Sequence, residues 1–174
     1  LAEAEVEYHD RTATTVMVRF AVAEHAGMAE LSGASIVIWT TTPWTLPGNR
    51  AIAFGAHIDY VIAEVGTVSE GSSAVPGERV VIAAALADAV KTEAGIADWT
   101  LSTPFAGREL AGVVARHPFA GQGYDFDVPA LAGDFVMTDQ GTGFVHIAPG
   151  HGADDYDLGQ KHGISVPETV DADG

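Results

Sequence analysis

The chain has 174 residues, 47% of them hydrophobic and 18% charged, which is the size and balance of one globular domain with a core of its own. Its 24 acidic against 8 basic residues leave a net charge of −16, so sequence-independent adhesion to nucleic acid is excluded as its main role. The lack of cysteine excludes a disulfide framework, thiolate metal sites and a cysteine nucleophile, and it agrees with a reducing, cytoplasmic setting. No apolar run is long enough to cross a bilayer, and the polar, acidic Leu1–Asp10 does not resemble a signal peptide.

Taken in order, the chain reads as many short strands with two modest helices. Thr14–Val22 and Ser35–Thr41 are rich in β-branched residues and predict strands, joined by a polar connection at Ala23–Gly33. Ala51–Phe54 and Tyr60–Val65 predict two more, on either side of a turn containing Gly55. Ser69–Glu78 (SEGSSAVPGE) has the small, polar, turn-forming residues of an exposed loop. Arg79–Ala83 predicts a strand running into an alanine- and leucine-rich helix over Ala84–Ala94, with Gly95 as its stop. Thr100–Pro104, Ala111–His117 and Phe135–Thr138 predict further strands. Gly143–Ala148 alternates like a strand after a GTG turn. Ala153–His162 then predicts a helix, acidic in its first turn and basic in its last. The pattern predicts one α+β domain over residues 1–174, with a compact curved or barrel-like β-sheet core and a few short helices.

Two segments carry the chemistry. In Ile36–Asn49 (IVIWTTTPWTLPGN), three consecutive threonines at a strand end offer hydroxyls that both donate and accept, beside methyl groups that shape a small pocket. Pro43 and Pro47 break the ladder, so Trp44, Thr45 and Asn49 are expected on an irregular loop; a threonine-rich strand followed by a rigid turn is the plainer reading. In Gly141–Gly163 (GTGFVHIAPGHGADDYDLGQKHG), His146 is expected within a strand and Asp154 and Asp155 at a helix start, with Gly and Pro between them allowing a tight bend. Asp154 as a helix cap, Asp155 as a dipole-favoured acid and His146 as a core residue are the alternatives at this point.

These segments, in this order, resemble the editing (CP1) insertion of isoleucyl-tRNA synthetases, in the class I aminoacyl-tRNA synthetase family. Softer similarity runs through the Asp59-Tyr60 pair and through GREL and HPF within Gly107–Phe119. Valyl and leucyl enzymes have a similar domain, typically with an arginine directly after the threonines; Pro43-Trp44 stands at that place here and favours the isoleucine branch. Gly48 and Phe144 stand where alanine is common in the family. Neither HIGH nor KMSKS occurs, so the chain is expected to be a domain excised from a larger synthetase and not the amino-acid-activating enzyme.

The resemblance implies hydrolysis of valine esterified to the 3′-terminal adenosine of isoleucine tRNA, and extends to valyl-adenylate. A pocket that accepts isoleucine rejects valine by only ~1–3 kcal/mol, a magnitude taken from the isoleucine–valine case itself, so a second and smaller site is needed. Carried over residue by residue, Thr40, Thr41 and Thr42 line that site, with Trp44, Thr45 and Asn49 near the adenosine and the ester. His146 walls the side-chain pocket and Asp155 pairs with the α-ammonium; Thr42, His146 and Asp155 are the expected catalytic set. No cofactor and no metal is implied. The expected partners are isoleucine tRNA and the remainder of the synthetase, with no membrane. Two rival readings are a metal-dependent hydrolase using His146, His151, Asp154 and Asp155, and a non-catalytic module that binds the tRNA end.

Overall fold

Short runs of β-branched and aromatic residues, each too brief to bury its own surface, pair here into one mixed sheet. The computed structural model describes residues 14–171, so the acidic opening Leu1–Asp10 lies outside the described residues. The strands are β1 (Val16–Glu24), β2 (Ala34–Thr40), β3 (Ala51–Phe54), β4 (Asp59–Val68), β5 (Arg79–Ala83), β6 (Ile96–Leu101), β7 (Phe105–Ala106), β8 (Val114–Arg116), β9 (Asp127–Ala132) and β10 (Phe144–Ile147). They follow the order β10-β3-β9-β8-β1-β2-β5-β4-β6, with β7 added beside β4. Among the described residues, only β2–β5 and β3–β9 run parallel, and two α-helices complete the fold, α1 (Ala87–Glu93) and α2 (Ala153–Lys161).

The expected α+β class holds, and the sheet follows an open path and does not close into a barrel. Several boundaries differ. The strand expected at Thr100–Pro104 lies earlier, at Ile96–Leu101, because its partner is the long β4, which carries the ladder through Ala63–Val68. Phe135–Thr138 forms no strand: the chain bends after Gly133, and Phe135 and Val136 fill a small apolar cluster from a turn. Asp127–Ala132 is a strand that carries no sequence expectation; it holds Pro129, which faces Val114 within the register. The helix expected from Ala84 starts as a 3-10 turn, Ala84–Leu86, before α1.

Two apolar clusters flank β10. One joins Phe20, Ile36, Ile38, Tyr60, Ile82 and Phe144, among others. The other lies under α2 and joins Ala51, Ala53, Val136, Ile147 and Leu158. Strand alternation divides β10 accordingly: Phe144 enters the first cluster, Val145 and Ile147 the second, and His146 stands on the Phe144 face. No helix among the described residues is long and apolar enough to cross a membrane.

Candidate active site

Strand β2 ends at Thr40, and Pro43 opens a 3-10 turn, Pro43–Gly48, that takes the chain out of the sheet. Proline suits the start of such a turn because its missing N–H leaves no donor unsatisfied there. Local hydroxyl bonds fold the segment onto itself. The Thr42 amide donates to the buried Thr40 Oγ1 at 3.0 Å, and the two hydroxyls lie 3.2 Å apart. Thr45 donates from both its amide and its Oγ1 to the Thr42 carbonyl, at 3.0 and 2.9 Å.

Across from this turn, β10 is set by contacts at its entry. Gly143 has φ +82°, and a Cβ there would overlap that of Ala83. Only glycine therefore lets the GTG turn lie against β5, where the Ala83 amide donates to the Thr142 carbonyl at 2.8 Å. The buried Tyr60 hydroxyl fastens the same corner: it donates to the Gly143 carbonyl at 2.7 Å and accepts from the Gly55 amide at 2.9 Å. Burial pushes this phenol up to about 12, so it stays a neutral donor. Phe144 packs against Tyr60 with ring centroids 4.6 Å apart, which places its added bulk in the core, two residues before His146.

His146 joins the two halves. Its Nε2 lies 3.0 Å from Thr45 Oγ1 and its Nδ1 3.5 Å from Asn49 Nδ2, while Asn49 Nδ2 also donates to the Ala51 carbonyl at 2.9 Å. The Thr45 proton goes to the Thr42 carbonyl, so Nε2 is assigned as the donor to Oγ1 and Nδ1 as the acceptor from Asn49. The ring is 8% exposed; burial lowers its pKa to about 4, with smaller contributions from His151 and His117. It is a neutral imidazole with both nitrogens engaged, which suits a wall and not a general base. Asn49 is fully buried, and its Oδ1 is a buried acceptor with no bonded donor.

Asp155 sits in the first turn of α2, and its Oδ2 accepts the Ala148 amide at 2.7 Å, closing the bend that separates it from His146. A Cβ on Gly152 would come within 3.1 Å of Asp155 Oδ1, so the glycine of GHG leaves that oxygen clear. Burial, more than Asp154, raises the Asp155 carboxyl above its ordinary value, while the Ala148 amide opposes the shift.

Thr40, Thr42, Thr45, Asn49 and His146 thus meet in one hydrogen-bonded network, and Asp155 is tied to the Ala148 amide two residues beyond His146. Thr41 and Trp44 are exposed, Trp44 at 72%, and stand outside that network. Among the described residues, no three His, Asp or Glu side chains gather as a metal ion requires. His151 is exposed and bonds Thr169 Oγ1 at 3.0 Å. Sequence reasoning missed two supports of the turn. His117, in the HPF motif, donates from Nε2 to the Leu46 carbonyl at 2.9 Å, and Arg50 donates to the Pro47 and Asn49 carbonyls at 3.2 and 2.5 Å. The one available signal was a histidine set between a strand and a Pro-Phe pair.

No family model matches the chain. Along its whole length it is 49% identical to the isoleucine–tRNA ligase of Gluconobacter oxydans and 46% identical to that of Caulobacter vibrioides. It spans 18% of the length of each. In fold it is similar to the editing domain of the P. knowlesi cytosolic leucyl-tRNA synthetase, with a TM-score of 0.66 at 13% identity over 86% of this chain and 64% of that one.

Proposed function

We propose, from a chain that is homologous throughout to one segment of isoleucine–tRNA ligase and folded as a synthetase editing domain, that it hydrolyses the ester of valine wrongly attached to isoleucine tRNA. The observation that carries this reading is the Thr42–Thr45–His146–Asn49 network beside Asp155, a small polar site with a neutral wall and one carboxylate.

In this reading Asp155 binds the substrate's α-ammonium through Oδ1, since Oδ2 is already occupied by the Ala148 amide. Thr42 meets the ester: if Thr40 donates to Thr42 Oγ1, the Thr42 proton is left for the substrate. The uncharged His146 ring closes the side-chain pocket, admitting valine and excluding isoleucine. Thr41 and the exposed Trp44 lie toward the terminal adenosine, where an indole face suits base stacking. An aminoacyl ester is already activated, so a positioned water completes hydrolysis without a protein nucleophile: its oxygen bonds to the carbonyl carbon and the ribose oxygen leaves with a proton. No metal and no cofactor enters these steps. Valyl-adenylate presents the same ammonium and side chain and is a further substrate. Residues 1–174 act as one domain of a cytoplasmic synthetase. With a net charge of −16, the domain grips the tRNA end and leaves the tRNA body to the rest of that enzyme.

The test is ester loss from valyl- and isoleucyl-charged isoleucine tRNA, with and without chelator. Faster loss of valine, unchanged by chelation, is expected. Activity abolished by chelation and restored by zinc would establish a metallohydrolase instead, and binding without ester loss would leave only a tRNA-end module.

A further inference from the structure

The Pro43–Gly48 turn carries Thr45 and leads into Asn49, yet it lies outside the sheet and has no ladder of its own. Its carbonyls are held from two sides. His117, 2% exposed, donates from Nε2 to the Leu46 carbonyl, and its Nδ1 accepts the Phe119 amide at 3.1 Å, so both ring nitrogens are committed. The ring cannot turn without losing both bonds, and aromatic neighbours fix its plane: Tyr124 stacks on it at 4.8 Å, and Phe20, Phe119 and Phe126 pack around it.

Arg50 holds the other side. Its guanidinium lies 4.4 Å from the centre of the Phe126 ring and donates to the Pro47 and Asn49 carbonyls. Its own amide donates to the Ile147 carbonyl at 2.8 Å, where the chain rejoins β3 beside β10. Phe126 thus touches both clamps, so His117 and Arg50 share one aromatic base.

We propose that His117 and Arg50 are positioning residues of the hydrolytic site, holding the turn by its carbonyls so that Thr45 and Asn49 meet His146. The inference rests on the hydrolytic reading above, but its structural half is measurable without any activity. His117→Phe keeps the aromatic packing and deletes the donor to Leu46. His117→Gln restores an N–H at the distance of Nε2.

In the 174-residue chain, the Thr45 and Asn49 amides, bonded to the Thr42 and Leu46 carbonyls, report the turn directly by hydrogen exchange. His117→Phe should speed their exchange at least about tenfold while core amides such as Ile36 and Ile38 keep their protection. Valyl-tRNA hydrolysis should fall about tenfold in kcat with KM little changed, because the substrate's ammonium contact is untouched. His117→Gln should recover most of both effects, and Arg50→Met should repeat the pattern of His117→Phe. Unchanged exchange in His117→Phe overturns the proposal, as does exchange that rises equally throughout the core. Failure of His117→Gln to rescue either readout also overturns it. If the parent chain releases no valine, the hydrolytic reading fails, while the exchange data still decide whether these residues hold the turn.

Discussion

Thr45 and His146 come within 3.0 Å of each other, but the backbones that bring them there are fastened differently. Under His146, β10 pairs residue for residue with β3, from Phe144 against Phe54 to Ile147 against Ala51. Under Thr45, the chain has left the sheet after Thr40 and hangs on hydroxyls, on the neighbouring Arg50 and on the distant His117 ring. A ladder spreads its restraint over several backbone bonds, so one lost side chain barely moves it. A turn held by three or four side-chain contacts has no such reserve. One half of the site is thereby a fixed wall and the other an adjustable one, and substitutions should tell them apart.

The largest effect is expected on the adjustable half. Thr42 is half-buried and its hydroxyl faces that of Thr40, so Thr42→Arg fills the space where the ester is proposed to lie. Valyl-tRNA hydrolysis should fall by on the order of 10²-fold, as for other misplacements at a positioned centre. The melting temperature should stay close to that of the parent, because the turn is outside the ladder. A folded Thr42→Arg protein with normal hydrolysis would remove the threonines from the site.

The fixed half should separate by role. Asp155→Ala should strip the proposed charge-assisted contact, of a kind worth roughly 1.5–3 kcal/mol, from any aminoacyl substrate, a loss of about 10- to 100-fold with the valyl-to-isoleucyl ratio unchanged. His146→Ala should instead lower that ratio, by letting isoleucine in. Acid sharpens the contrast through linkage. The His146 ring titrates near 4 in the folded chain against 6.5 when free, so the unfolded state takes up its proton first. Its contribution to stability is whole above 6.5 and is lost as pH falls toward 4, on the order of 3 kcal/mol in all. Asp155 acts in the opposite sense: a raised carboxyl favours the fold in acid and loses that advantage as pH rises through its folded value. Thermal unfolding across that window should therefore have a shallower acid slope in His146→Gln, where the buried His117, also lowered by burial, still contributes, and should keep its slope in Asp155→Asn. An unchanged slope in His146→Gln would refute a buried, neutral ring.

The same division decides what could be read from the chain. The β10 half is local: GTG, alternation through His146 and the acidic start of α2 fall within twenty or so residues, and the strand and helix stand close to their expected bounds. The turn half is not. Thr45 and His146 are separated by 101 residues, and His117 reaches Leu46 from 71 residues away, so no window of sequence contains the contact. Asp127–Ala132 carries no sequence expectation for a related reason: Pro129 has no N–H to donate, and whether a strand can hold it depends on whether the facing neighbour needs a donor at that position. Thr41 and Trp44 show the other limit of a motif: adjacency groups them with Thr40 and Thr45, while the turn leaves them exposed and outside the hydrogen-bonded network.

The smallest effect is expected at the seam between the halves, where Gly48 faces His151. A Cβ at Gly48 would lie 3.0 Å from His151 Cδ2, 3.2 Å from its Nε2 and 3.6 Å from the Ala148 Cβ, so the turn and the bend after β10 touch here with no spare room. Which side yields decides the outcome. Ala148 is buried and its amide is bonded to Asp155, so it stays; His151 is exposed, its ring is bonded to Thr169 Oγ1, and it can swing toward solvent. Gly48→Ala should therefore cost the His151–Thr169 bond, an exposed contact worth about 0.5–1.5 kcal/mol, and recover roughly 0.4–1 kcal/mol by restricting the unfolded chain. The two nearly cancel, so stability should change by less than about 1 kcal/mol and hydrolysis by no more than a few-fold. Denaturant unfolding and single-turnover deacylation of the variant measure both. A collapse of deacylation with stability intact would show that His151 cannot move aside without displacing Asn49 or Asp155. The seam would then be part of the site, and the turn would be no more adjustable than the ladder it faces.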